Sequence, residues 1–136
     1  MPVIVWKDEM SVGVKALDAE HRNILEMMNQ LHDDVLAGAE NKMLVSILTE
    51  LIKKTKAHLD HEETMLAKTG YPGNSEHHKA HDAIIAKGLM LQARFMSGSE
   101  EPFTMAEVNL LHEWLGSHLC ESDKLYAQHL NAHGIF

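Results

Sequence analysis

The chain has little of what would tie it down covalently or anchor it elsewhere. Cys120 is the single cysteine of 136 residues, so no intrachain disulfide can form, and a reducing compartment is expected. No apolar run approaches the ~20 residues needed to span a bilayer. The start, Val3-Ile4-Val5-Trp6, turns polar before it reaches the apolar length of a signal peptide, so a cytoplasmic location is expected. Basic residues are in deficit. Twelve Lys and Arg against twenty Asp and Glu give a net charge of −8, which argues against nucleic acid, whose phosphates need a basic surface. Aromatic residues are few at 5%, and runs of β-branched residues are rare; the remaining Leu-, Ala- and Met-rich mixture leans towards helices. Histidine is abundant instead, with eleven in the chain.

Glycine and proline divide the sequence into an arm and four helical segments of one domain, 1–136. Pro2, Ser11 and Gly13 make 1–17 an irregular arm. Asp18 is the expected N-cap of a first helix over about 18–37 that stops at Gly38. A second helix, about 41–69, ends at Gly70-Tyr71-Pro72-Gly73, and a third covers about 74–97. The fourth, about 104–130, opens on Thr104-Met-Ala-Glu107, a capping-box pattern. Helices of this length with short connections pack antiparallel, so the expected fold is all-α, an up-down-up-down four-helix bundle.

The apolar stripes carry the functional signal. In the second helix, Leu44, Ile47, Leu48, Leu51 and Ile52 lie at helical spacing, and the same stripe continues through Thr55, His58, Leu59, Glu62, Met65 and Leu66. In the first, His21 aligns with Ile24, Leu25, Met28, Leu31 and Val35. In the third, His77 and His81 lead Ile84, Gly88, Leu91 and Phe95. In the fourth, His118 shares a side with Leu111, Leu115, Leu119 and Tyr126, with Asp123 close by. Seven ionisable groups therefore point inward, and spacing places no Lys or Arg among them.

A single inward histidine is more often a hydrogen-bonded core residue, and His58-x3-Glu62 alone could be a surface ion pair. Five histidines and two acids converging from four helices are another matter, because buried carboxylates cost several kcal/mol without compensation. A metal supplies the missing positive charge. Cysteine-rich four-coordinate zinc and all-oxygen calcium or magnesium fit this donor set poorly. Imidazoles and carboxylates shared between two ions suit iron or manganese.

The residues resemble those of the hemerythrin family. Its pattern of His, His-x3-Glu, His-x3-His and His-x4-Asp is matched by His21, His58/Glu62, His77/His81 and His118/Asp123. The flanking segments agree, among them Gly13-Val-Lys-Ala-Leu-Asp-Ala-Glu-His21 and Trp114-Leu-Gly-Ser-His118-Leu-Cys-Glu-Ser-Asp123. The resemblance implies two iron ions per chain, one held by His77, His81 and His118 and the other by His21 and His58. Glu62 and Asp123 would bridge them beside an oxo or hydroxo group. It further implies reversible dioxygen binding, as a hydroperoxide on the two-histidine iron, in a carrier, store or scavenger rather than an enzyme. A di-iron oxidase, a peroxidase, a nitric-oxide-consuming enzyme and an oxygen or redox sensor module are the alternatives. Dioxygen is the expected ligand, an oxygen-consuming enzyme the candidate partner, and nothing demands more than a monomer.

Further expectations come from position. Leu59, Trp114, Leu115 and Leu119 fall beside His58 or His118 and are the candidate walls of an oxygen pocket. His118 and Asp123, five residues apart, are rotated by roughly 140° on an ideal helix, so they approach from different sides or a π-bulge realigns them. His61 and His78 read as surface residues, Glu63 as turned to solvent, and His32 and His112 as partly buried stripe-edge groups. His129 and His133 form an i,i+4 pair at an expected fraying end. Trp6 is expected to cover a flank of the bundle.

Overall fold

The computed structural model describes residues 6–7, 10–96, 102–117 and 126–136. The elements are α1 (Lys15–Leu36), α2 (Asn41–Lys68), α3 (Asn74–Met96), α4 (Met105–Ser117) and a short α5 (Ala127–Ala132), with no strand among the described residues. α1 packs on α2 and α4, and α3 packs on the same two, which closes a ring of four antiparallel helices. This is the four-helix bundle expected from the periodicity. His118, Leu119 and Asp123, with the question of a π-bulge between them, lie outside the described residues.

The helix ends follow local chemistry. Gly38 and Gly70 take positive φ of 77° and 67° just past α1 and α2, the left-handed conformation that glycine adopts without a Cβ clash. The backbone closes a Schellman pair at each: Ala39 N to Asp34 O at 3.0 Å with Gly38 N to Val35 O at 3.1 Å, and Tyr71 N to Leu66 O at 3.0 Å with Gly70 N to Ala67 O at 3.3 Å. At α4, Thr104 N and Oγ1 donate to Glu107 Oε2 at 2.6 and 2.7 Å, and Ala106 N donates to Thr104 Oγ1 at 3.3 Å, so the expected capping box forms.

Two expectations about the ends need correcting. Asp18 is not the N-cap of α1: the helix starts at Lys15 with Val14 as its N-cap. Burial of Val12, Val14 and Leu17 draws the chain into helix one turn early. The Asp18 carboxylate instead accepts from Ser11 Oγ at 2.6 Å and Val12 N at 2.9 Å, which fastens the arm to the first turn. Nor is the C-terminal segment loose. His129 Nε2 donates towards Thr69 Oγ1 at 2.8 Å and Thr69 O at 3.1 Å, Leu130 is fully buried, and Asn131 Nδ2 donates to Gly13 O at 3.0 Å. Trp6 packs on the core as expected, with the Arg22 guanidinium 4.7 Å from its ring centre.

The core falls into two apolar clusters. The larger is built on Ile24, Leu25, Met28 and Leu31 of α1, Leu44, Leu48 and Leu51 of α2, Leu91 and Phe95 of α3, and Val108, Leu111 and Leu115 of α4. The smaller gathers Val12, Val14, Leu17, Leu66, Tyr126 and Leu130. Along α1, His21 falls between Leu17 of one cluster and Ile24 of the other. Along α2, Thr55, His58 and Glu62 fall between Leu51 and Leu66. A polar layer is thus sandwiched inside the bundle.

Candidate metal centre

The polar layer is as dry as the leucines around it. Relative exposure is 0% for His21, 2% for His58, 0% for Glu62, 8% for His77 and 2% for His81. Each reaches inward because it continues its helix's apolar stripe: His58 and Glu62 are one turn apart on α2, and His77 and His81 one turn apart on α3.

Glu62 is the hinge of the arrangement. Its Oε2 contacts Nε2 of His58 and lies 3.8 Å from Nε2 of His21, while the two imidazole Nε2 atoms are 2.7 Å apart. Its Oε1 lies 3.1 Å from Nε2 of His77 and 4.0 Å from Nε2 of His81. Tyr126 donates its hydroxyl to the same Oε1 at 2.5 Å. The result is two buried triads, His21–His58–Glu62 and Glu62–His77–His81, each with its ligand atoms within 4.8 Å of one another. One carboxylate oxygen serves each triad. Four buried imidazole nitrogens and a shared carboxylate are a donor set for a pair of borderline transition-metal ions, so the residues present fit the implied irons.

Behind the triads stand two carboxylates off the apolar stripes: Glu63, which the periodicity turned to solvent, and Glu20, to which it gave no role. Glu20 places Oε1 2.8 Å from Nδ1 of His58 and Oε2 2.8 Å from Nδ1 of His61. Burial pushes the Glu20 carboxyl up, but the hydrogen bonds from His58 and His61 outweigh it and hold the group below its ordinary range. Glu63 is not turned fully to solvent: it is 21% exposed, and its Oε1 lies 2.7 Å from Nδ1 of His78 and 3.4 Å from Nδ1 of His81. Both acids adjoin a stripe residue in sequence, so they are rotated by ~100° from it on the helix and look outward in a pattern of period 3.6. Their partners come from the neighbouring helix, which period alone does not reveal.

The outer histidines sort accordingly. His78 is a surface residue at 56% exposure, bonded to Glu63 and 3.1 Å from Asp82, and the Glu63 hydrogen bond raises its pKa. His61 is less open than a free surface group, at 38%, because Glu20 holds it. His32 is 17% exposed beside Asp33, and His112 is half-buried, with no hydrogen-bond partner for its Nε2 among the described residues. Tyr126 lay on the expected stripe, but its bond to Glu62 depends on tertiary placement that the sequence pattern does not carry.

Of the candidate oxygen-pocket walls, Trp114 and Leu115 line an apolar cavity between α2, α3 and α4 with Leu51, Ile52, Thr55, Ile84 and Gly88. The room is small, about 20 Å³ for the centre of a water-sized sphere. Gly88 helps to keep the helices close, since a Cβ there would stand 3.3 Å from Ile52 Cγ1. Leu59 is buried, but it is not among the residues that line this cavity.

A four-helix bundle with two inward His–Glu triads on a common carboxylate defines a metal-binding bundle protein. The family model for the hemerythrin HHE cation-binding domain matches residues 12–130. A bacteriohemerythrin of Stenotrophomonas maltophilia is 30% identical over 136 aligned positions, covering 98% of this chain and 85% of the relative. A myohemerythrin of Riftia pachyptila is 32% identical, covering 93% and 92%. A crystal structure of wild-type hemerythrin superposes with a TM-score of 0.86 at 29% identity, covering 94% of this chain and 98% of that one. The chain belongs to the hemerythrin family. Among the described residues, no helix is long and apolar enough to cross a membrane.

Proposed function

We propose that the chain binds dioxygen reversibly at a non-haem di-iron centre and acts as an oxygen carrier, store or scavenger rather than an enzyme. The observation that carries this reading is the shared carboxylate: Glu62 presents one oxygen to the His21–His58 side and the other to the His77–His81 side. In this assignment His21 and His58 hold one iron, and His77, His81 and His118 hold the other. Glu62 and Asp123 would each supply a carboxylate to the pair. When bound, reduced iron would supply the electrons for reversible dioxygen binding.

The chain's own residues set the conditions. Five neutral imidazoles against two carboxylates disfavour highly oxidised iron relative to a carboxylate-rich site. Tyr126 holds Glu62 Oε1 in place, and the surrounding leucines exclude water. Trp114 and Leu115, with Leu119 assigned beside them, form the apolar wall that admits a small neutral gas and hinders anions, while Leu59 packs next to His58 outside that cavity. An apolar cavity of this size suits such a guest. A cytoplasmic role beside an oxygen-consuming enzyme, as a monomer, completes the reading.

The test is anaerobic reduction of the iron-loaded protein, exposure to oxygen and then degassing, with absorption followed throughout and iron counted per chain. Two irons and a charge-transfer band that appears and disappears with oxygen are expected. Consumption of oxygen with a reductant or substrate, without recovery on degassing, would replace the carrier by a di-iron oxidase.

A further inference from the structure

His58 is held from both sides. Its Nε2 faces the interior, against Glu62 Oε2 and 2.7 Å from Nε2 of His21. Its Nδ1 faces Glu20 Oε1 at 2.8 Å, on a different helix and 38 residues away. An ionised carboxylate only accepts hydrogen bonds, so Nδ1 must carry the hydrogen, and a neutral ring then has a lone pair on Nε2 alone. The second Glu20 oxygen is taken up by Nδ1 of His61 at 2.8 Å, which leaves the carboxylate little freedom to rotate away.

We propose that Glu20 is a positioning residue for the metal centre, acting through His58: it fixes the Nδ1–H tautomer and the ring plane so that Nε2 is offered to the metal, while His61 clamps the carboxylate from outside. The inference rests on the metal assignment of His58 given above. Glu20 touches no metal itself. Its negative charge also raises the basicity of the imidazole it backs, which strengthens the ligand bond. Glu63 provides a comparison within the molecule, since it pairs closely with the outer His78 at 2.7 Å but stands 3.4 Å from Nδ1 of the inner His81. The tight inner contact belongs to Glu20.

The experiment uses the full chain loaded with cobalt(II), with two readouts. One is the rate of metal loss to an excess of chelator. The other is the set of hyperfine-shifted, exchangeable imidazole N–H resonances, which reports each ligand histidine's hydrogen-bonded ring nitrogen. Glu20→Ala is expected to lose the protected His58 N–H resonance and to release metal ~10–100-fold faster. Glu20→Gln keeps an acceptor oxygen for Nδ1, so the resonance should persist and release should stay within a few-fold of wild type. Glu26→Ala, an exposed acid on the same helix, controls for charge alone and should leave both readouts unchanged.

Wild-type resonances and wild-type release in Glu20→Ala would overturn the inference while leaving the metal reading standing. Equal acceleration in Glu20→Ala and Glu26→Ala, with the His58 resonance intact, would also overturn it, because net charge would then be the cause. If Glu20→Ala does not fold, Glu20→Gln decides: a lost resonance there contradicts the tautomer argument. Failure of the wild-type chain to take up two cobalt ions would sink the metal assignment, and this inference with it.

Discussion

The two halves of α2 occupy the same face at the same depth and do opposite things. Leu44, Leu48 and Leu51 are 1%, 0% and 1% exposed; His58 and Glu62, further along the stripe, are 2% and 0%. Burial stabilises the first half outright, at about 25 cal/mol per Å² of apolar surface removed from water. In the second half the same burial strips solvent from a carboxylate and an imidazole, and each must recover that cost from a partner. Glu62 finds partners inside the polar layer: His21 on α1, His58 on α2, His77 and His81 on α3, and the hydroxyl of Tyr126. Inward position is therefore the same signal for two purposes, and the chemistry of the side chain decides which purpose it serves.

The most forceful way to break the equivalence is to remove metal. Ions that bind only the folded chain stabilise it by mass action, about 4 kcal/mol per ion at a thousandfold excess over Kd. Stripping iron with a chelator is expected to lower the thermal midpoint by on the order of 10 °C or more. The loss falls on the polar half, where Glu62 must then rely on protein partners, Tyr126 and the histidines among them. Equal midpoints with and without iron, read by calorimetry, would mean that these protein contacts already meet the full cost of burying the carboxylate.

The apolar half is expected to respond differently. Leu48 is fully buried in the larger cluster, three residues before Leu51. Leu48→Ala should cost ~2–5 kcal/mol of stability through lost burial and a residual cavity. Iron content per folded chain should stay at the wild-type value, since no ligand or ligand partner is touched. Denaturant unfolding and metal analysis on the same sample check both halves of the statement. A variant that lost iron in proportion to stability would show that the two clusters are coupled more tightly than their separation along α2 implies.

How much of this was legible in the sequence depends on range. The stripe through His58 and Glu62 could be read from period alone, as could the turn glycines Gly38 and Gly70 and the capping box at Thr104, because each is a relation between residues within a turn or two. Asp18 misled for the opposite reason. It is a good N-cap residue by type, but burial of Val12, Val14 and Leu17 extends α1 past it, and the acid serves the arm instead. Glu20 and Glu63 were hidden for a third reason: each is off the stripe on its own helix, and its partner is fixed by the packing of α2 against α1 or α3. His129 looked like part of a loose terminus until Thr69, sixty residues away, was seen to hold it.

The smallest expected effect lies away from the triads, at the α1–α4 side. His112 is a half-buried imidazole on α4, and burial lowers its pKa, with the nearby His32 of α1 adding a smaller push in the same direction. The unfolded chain presents this histidine with an ordinary pKa of about 6.5, so as pH falls the unfolded state takes up the proton first. Binding more protons in the unfolded state makes stability rise with pH, so this contribution is fully present above about pH 6.5 and is lost as pH falls below it towards the lower folded value. His112→Gln removes the titration while keeping a polar side chain of similar length. The variant should match the wild type in thermal midpoint at pH 8 to within a few degrees and lose less of it between about pH 6.5 and 5. Thermal scans across that range decide the matter: superimposable wild-type and variant profiles would show that the half-buried His112 contributes nothing to the acid sensitivity of the bundle.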